Sequence, residues 1–417
     1  MAQLLSRRFV ERLPIFACAG FIGFLFLANL WNFAVERDWP KLRIRSAQPL
    51  NGVPKIEPAP WTAQAFLSGE TQKAVSSNIG RASPVFPISV RLKNQFMYSL
   101  FRASGAANIV VGREEQLFAT GYIDEYCARG AAPNPGKLED WADMAGEISA
   151  SVRGQGKRFV YLVSPSKASH APQYLPAGRS CPSLKDNAAN RKLAPFRAAL
   201  ERRAVPFVDS SELFAREKSA YKIDLFPRGG IHWNLLGAAL TLREASGVLE
   251  GQGGEPLLGA YDFDWREDDL AKGTDRDLLD LLNLFWPDDA YPTAALARNG
   301  AGASCPKTPH LLMVGDSFLR ELIVAAAVAP CPPEIDYWFY VRDDAGGISL
   351  TRFLTAPGEI GNGTRLSADL ALLPESFGWA DAVVLEENES NIGNNRQVGN
   401  LLDAIRAKNP KLSGGPG

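Results

Sequence analysis

Leu311-Leu312-Met313-Val314-Gly315-Asp316-Ser317-Phe318 runs an apolar strand straight into a glycine, an acid and a hydroxyl, and residues 319–328 beyond it carry a helical pattern. Strand, tight turn and helix together put Ser317 on a helix's first turn. Unpaired N–H groups and the positive end of the helix dipole favour a developing anion there. Ser317 is therefore a candidate nucleophile. Ser317 and Asp316 are also both good helix caps, so the stretch has a purely structural reading as well.

A second stretch, Phe226-Pro227-Arg228-Gly229-Gly230-Ile231-His232-Trp233-Asn234, is a glycine-rich loop that delivers one of the chain's three histidines to an apolar helix over residues 235–245. A lone histidine has a structural reading too. Beside a serine at a strand end, however, His232 is the general base that a hydroxyl needs, because serine is a poor nucleophile at its own pKa.

Outward from these two stretches the pattern is regular. Trp141, Met144, Ala145, Ile148 and Val152 share one helical face; residues 159–163 form a continuous apolar strand ended by Ser164-Pro165-Ser166-Lys167; Leu193, Phe196 and Leu200 mark another helix, and residues 206–209 another strand. Helices alternating with buried strands predict an α/β fold, a doubly wound parallel sheet with helices on both faces. Function in such sheets gathers at the carboxyl ends of the strands, so Ser164–Lys167, Asp209–Ser211 and Gly315–Ser317 are predicted to meet in one crevice. Strands are predicted over residues 335–341 and 381–385, the latter leading into Glu386-Glu387-Asn388-Glu389, and residues 398–405 form a last helix. Near the start, residues 61–67 and 90–101 read as helices separated by a Ser, Gly and Pro-rich piece, and residues 109–111 as a strand. Residues 255–304 are less regular, with an acidic run, a short amphipathic helix at 278–282, and three aromatics, Phe263, Trp265 and Phe285. Those aromatics suit either a sugar groove or the core of an insertion.

At 417 residues the chain can bury one large α/β core with additions, or two modest domains. A net charge of −1 without clustered basic residues excludes a nucleic-acid partner. Arg7, Arg8 and Arg12 precede residues 15–35, an uncharged run of roughly the 20 residues that a bilayer core requires. The positive flank keeps the N-terminus in the cytoplasm. The organisation that follows is a cytoplasmic tail (1–12), a transmembrane signal anchor (13–35), a linker (36–60), the main domain (61–408) outside the inner membrane, and a disordered tail (409–417). A cleaved signal peptide is the rival reading of the apolar run. Cys127, Cys181, Cys305 and Cys331 then lie in an oxidising compartment, where Cys127–Cys181 and Cys305–Cys331 is the simplest of the three possible pairings. Their spacing does not fit a zinc site, and Cys18 falls inside the apolar run.

In order, the Gly-Asp-Ser strand end, the His-Trp-Asn loop, Val110-Val111-Gly112 with Leu117-Phe118, the turn Pro165-Ser166-Lys167, Asp277-Leu278, and Glu386 through Glu389 resemble the alginate O-acetyltransferase family of periplasmic proteins, the AlgJ and AlgX type. The resemblance spans residues 61–405 and implies an SGNH-hydrolase-like domain in which the histidine motif precedes the serine motif, as here. It implies acetyl transfer to hydroxyls of an exported polysaccharide through an acyl-serine, without a cofactor or metal. It also implies an acetyl donor passed across the membrane by a multi-pass partner of the MBOAT class. One residue departs from the pattern. The family has aspartate two residues before the histidine, and this chain has Gly230. Asp224 and Glu386 are the expected replacements, with Ser317 as nucleophile and His232 as base. Gly229 and Gly230 are expected to offer oxyanion donors, and Lys167 and Arg320 to hold an anionic sugar. An acetyl esterase using the same acyl-enzyme, and a non-catalytic scaffold or polysaccharide-binding member of an export complex, are the alternatives.

Overall fold

The computed structural model describes residues 7–35, 49–53, 58–82, 85–128, 134–176, 178, 181, 189–299, 305–340, 348–356, 359–360, 363–367, 372–394 and 397–408. Most of the expected linker and all of the expected tail at 409–417 lie outside these residues. The chain divides into two compact units, residues 1–107 with 280–287 and residues 108–279 with 288–417.

Seven strands of the second unit form its central sheet: β1 (Arg158–Ser164), β2 (Phe207–Asp209), β3 (His310–Gly315), β4 (Glu334–Tyr340), β5 (Ile348–Phe353), β6 (Thr364–Ser367) and β7 (Ala382–Asn388). Their order across the sheet is β6-β5-β4-β3-β7-β1-β2. Neighbours from β4 through β2 run parallel, whereas β5 pairs antiparallel with β4 and β6 antiparallel with β5. The sheet is therefore mixed, which corrects the all-parallel expectation. β5 and β6 sit in a Thr, Arg and Gly-containing stretch without a continuous apolar run, because an antiparallel edge need not be buried on both faces.

Alternation along the central strands divides the core into two layers. Val160, Leu162, Leu311, Met313 and Val384 face the histidine helix (Leu235–Glu250) and the serine helix (Leu319–Ala327). Phe159, Tyr161, Val163, Leu312, Val314 and Leu385 face helices Pro135–Arg153, Ala189–Arg202 and Gln397–Lys408. The irregular region between the two motifs contains a hairpin, Phe263–Asp268 against Thr293–Arg298, and a short helix, Asp277–Leu281. Phe263 and Trp265 belong to the first layer or pack on it, so they anchor the hairpin and do not line a groove. Cys127–Cys181 and Cys305–Cys331 are disulfide-bonded, the pairing expected from nearest neighbours.

In the first unit, Arg7–Val35 is one helix of 29 residues, most of whose described apolar side chains, such as Phe16, Phe21 and Phe26, are exposed. Among the described residues no helix is long and apolar enough to cross a membrane. Helices Ala63–Leu67, Glu70–Ala82 and Phe86–Phe101 follow. The middle one occupies the piece that its Ser and Gly content marked as a connection.

Candidate active site

β3 ends at Gly315, and the next three residues turn the chain into the serine helix. Asp316 shapes that turn: its Oδ1 accepts the N–H of Phe318 at 2.9 Å, and its carbonyl accepts the N–H of Leu319 at 3.3 Å. Ser317 is left half-buried at the mouth of the helix. On the opposing loop, each residue of His-Trp-Asn has its own task. Asn234 caps the histidine helix, accepting the N–H of Gly237 at 3.0 Å, while its amide donates to the carbonyl of Asp224 at 2.7 Å. Trp233 is fully buried and donates Nε1–H to the carbonyl of Phe318 at 3.1 Å, which ties the histidine loop to the serine turn. His232 stands against the edge of Phe318, ring centres 4.9 Å apart.

The result joins two side chains 85 residues apart: Ser317 Oγ lies 2.7 Å from His232 Nε2. On the other side of the ring, Nδ1 lies 2.7 Å from Asp277 Oδ2, and Oδ1 of the same carboxylate accepts the N–H of Ile231 at 2.9 Å. Nδ1 therefore carries the proton, and Nε2 presents its lone pair to the serine hydroxyl. Burial works against a charged imidazole. The bond to Asp277 and the fields of Glu321, Asp277 and Asp316 outweigh it and hold His232 above its ordinary pKa.

Asp277 thus corrects the expectation for Asp224 and Glu386. A Cβ on Gly230 would lie 2.6 Å from the carbonyl oxygen of Thr274 and 2.8 Å from Pro227 Cγ, so an aspartate cannot occupy that position in this loop. The segment that closes over Gly230 brings its own acid instead, three residues beyond Thr274. Sequence spacing gave little sign of it, since Asp277 opens an ordinary amphipathic turn 45 residues after the histidine. Two hints existed: the missing acid at 230, and Asp277-Leu278 among the residues carrying the resemblance.

Other expected site residues are spent on support. Gly230 spends its N–H on the carbonyl of Pro227 at 3.2 Å, which takes it from an oxyanion, and the Tyr291 hydroxyl lies against Gly229. Lys167 is buried, with Nζ 2.6, 2.9 and 3.1 Å from the carbonyls of Pro227, Arg228 and Gly230. It clamps the histidine loop and cannot reach a sugar. Burial brings its pKa down to about 7, although three acceptors call for all three N–H bonds of the ammonium. Glu386 is also buried, accepting from Ser164 Oγ at 2.5 Å and from the N–H of Asp316 at 2.9 Å. Burial, with Asp316 beside it, holds its carboxyl well above the usual range.

Glu387 and Glu389 are buried likewise, the first bonded by Trp141 and Tyr161, the second by Ser166 and Ser169. What reads in sequence as a solvated acidic run is a scaffold beneath the strand ends. Asp209 and Ser211 line a separate cavity of about 390 Å³ with His170 and Glu389, which divides the single crevice expected from the strand ends. Of the expected sugar ligands only Arg320 is exposed, its guanidinium 5.0 Å from the Phe339 ring. Among the described residues no group of three or more His, Cys, Asp or Glu side chains is placed to hold a metal ion.

Residues 109–319, which contain Ser317, His232 and Asp277, match the family described as SGNH hydrolase-like domain, acetyltransferase AlgX. The chain belongs to that family. Among solved structures, the O-acetyltransferase domain of Pseudomonas putida AlgJ is 17% identical over 71% of this chain and 99% of its own, with a TM-score of 0.44. Pseudomonas aeruginosa AlgX is 16% identical over 71% of this chain and 67% of its own, at 0.45, and Bacillus cereus PatB1 is 12% identical over 69% and 97%, at 0.42. No curated protein matches the chain. Gly230, where the resemblance leads one to expect an aspartate, is thus answered by Asp277, whose carboxylate stands against the histidine.

Proposed function

We propose that this protein transfers acetyl groups to hydroxyls of an exported polysaccharide through an acetyl-serine. The observation that carries the reading is the continuous chain Ser317 Oγ, His232 and Asp277, closed by two contacts of 2.7 Å. In the first half-reaction His232 Nε2 takes the proton of Ser317 as Oγ bonds to the acetyl carbonyl carbon. The proton then passes to the departing oxygen of the donor as its bond to carbon breaks. In the second half, His232 removes the proton of a sugar hydroxyl, whose oxygen attacks the acetyl-serine, and returns that proton to Ser317 Oγ. Asp277 stabilises the imidazolium formed in each half. The backbone N–H of Ser317, before the serine helix, is the proposed oxyanion donor, a contribution of about 3 kcal/mol in comparable sites. Arg320 is the proposed contact for an anionic sugar.

The reading also takes residues 13–35, within helix Arg7–Val35, as a single-pass anchor in the inner membrane. Its uncharged apolar run and basic N-terminal flank support this, with the catalytic unit in the periplasm, where the two disulfides are stable. The donor is proposed to arrive through an MBOAT-type membrane partner. The test uses purified protein, a chromogenic acetate and an oligosaccharide acceptor. Mass analysis of a quenched reaction is expected to find one acetyl group on Ser317, and acceptor is expected to divert acetate into sugar ester. Ser317→Ala abolishing neither acetyl-enzyme nor ester would refute the mechanism. Acetate release indifferent to acceptor would make the protein an esterase.

A further inference from the structure

The first unit leaves a row of large apolar side chains uncovered. In helix Phe86–Phe101, Ile88, Leu92, Phe96 and Leu100 follow one another at four-residue spacing, and all four are exposed, between 44% and 64%. The inward side is mixed: Tyr98 is buried, and so is Asn94, which donates to the carbonyl of Leu282 at 2.7 Å, while Gln95 accepts the N–H groups of Phe285 and Trp286 at 3.1 Å each. Those bonds seat the 282–286 segment beside the helix, where the rings of Phe285 and Trp286 lie 5.7 Å apart and the Trp286 side chain is 76% exposed. A helix whose outer face met only water would carry polar residues in that row.

The asymmetry extends over the unit. Outside Arg7–Val35, twelve large apolar residues are exposed in the first unit and three in the larger second unit, among the described residues. A concentration of that kind marks an interaction surface. Charge indicates what the surface meets. The described part of the first unit after Arg7–Val35 has five basic residues, Lys73, Arg81, Arg91, Lys93 and Arg102, against the acids Glu70 and Asp280, whereas the whole chain carries −1. Apolar side chains with interspersed Lys and Arg, and tryptophans at the margin, are the composition of a helix that lies in the interface of an anionic bilayer. An apolar protein partner would not call for the cationic excess.

We propose that the outer face of helix Phe86–Phe101, with Phe285 and Trp286, docks on an anionic phospholipid surface at the boundary between headgroups and acyl chains. The face would hold the first unit flat against the bilayer, a second attachment distinct from the helix Arg7–Val35.

Cys18 is the free cysteine outside the two disulfides, so a single probe can report each attachment in the full chain. Full-length protein is reconstituted into phosphatidylcholine vesicles with and without phosphatidylglycerol. Maleimide protection of Cys18 reports the N-terminal helix. In a Cys18→Ala background, Leu92→Cys carrying bimane reports the face; position 92 is exposed, so the label leaves the core intact. The expected result is a blue-shifted emission and at least twofold stronger quenching by shallow nitroxide lipid when phosphatidylglycerol is present. Phe96→Glu with Leu100→Glu is expected to abolish both effects while acetylation of Ser317 by the chromogenic ester persists. A label as open to aqueous iodide in vesicles as in detergent, with Cys18 protected, would overturn the proposal and leave the anchor standing. Pyrene at position 92 giving excimer emission would assign the face to a second copy and overturn it equally.

Discussion

Asp277→Asn isolates the one part of the proposed catalytic chain that comes from an unexpected place. The carboxylate makes two bonds, to Nδ1 of His232 at 2.7 Å and to the N–H of Ile231 at 2.9 Å. In the amide the oxygen can keep only one of them. If it keeps the backbone N–H, the amide NH2 faces Nδ1 as a donor, and the imidazole must answer with a lone pair. The ring proton then moves to Nε2, and Ser317 Oγ, 2.7 Å away, meets a hydrogen where it needs a base. The same tautomer trap in serine hydrolases lowers turnover by about 10⁴, or roughly 5.5 kcal/mol of barrier. That loss is expected here in kcat for the chromogenic acetate, with KM and melting temperature nearly unchanged. Asp224→Asn, by contrast, is expected to stay within about threefold of the parent enzyme, a change of roughly 0.6 kcal/mol. Adding Gly230→Asp to Asp277→Asn is expected to lower the melting temperature without rescue, because its Cβ has no room beside Thr274 and Pro227. An Asp277→Asn enzyme that keeps a tenth or more of the parent turnover would refute the claim that this carboxylate orients His232.

The pH profile offers an independent check. His232 must be neutral to accept the serine proton and is held above its ordinary 6.5, so kcat/KM is expected to fall with acid along a limb whose midpoint lies above pH 6.5. A limb at or below that value would contradict the bonding described. Lys167→Met keeps the bulk but leaves three buried carbonyls without a donor, at about 1–3 kcal/mol for each that finds no substitute. The expected outcome is a melting temperature lower by roughly 5 °C or more together with reduced kcat, measured by thermal unfolding and ester hydrolysis. An unchanged kcat would remove Lys167 from the support of the histidine loop.

Ser317 and His232 were readable because each sits in a local pattern that backbone chemistry explains: an apolar strand broken by glycine, and a glycine-rich loop entering a helix. The central strands and the disulfide pairs were readable for similar reasons of burial and proximity. Asp277 was not, because no periodicity connects a helix-opening acid to a ring 45 residues earlier. Lys167 and Glu386 misled in the other direction. Charged residues at strand ends read as ligands, yet both are buried and satisfied from within. The antiparallel edge escaped for want of a strong apolar run in β5 and β6. Glu70–Ala82 escaped because its serines and glycine resemble a connector.

The bifurcated grip of Asp277 has a consequence for how relatives of this protein are recognised. A filter that demands an acid two positions ahead of the histidine would discard this chain as a dead copy, although a carboxylate stands 2.7 Å from the ring nitrogen. Surveys of the family that measure the distance from each imidazole to its nearest carboxylate would retain such members, and would count how often the acid comes from a distant stretch of chain.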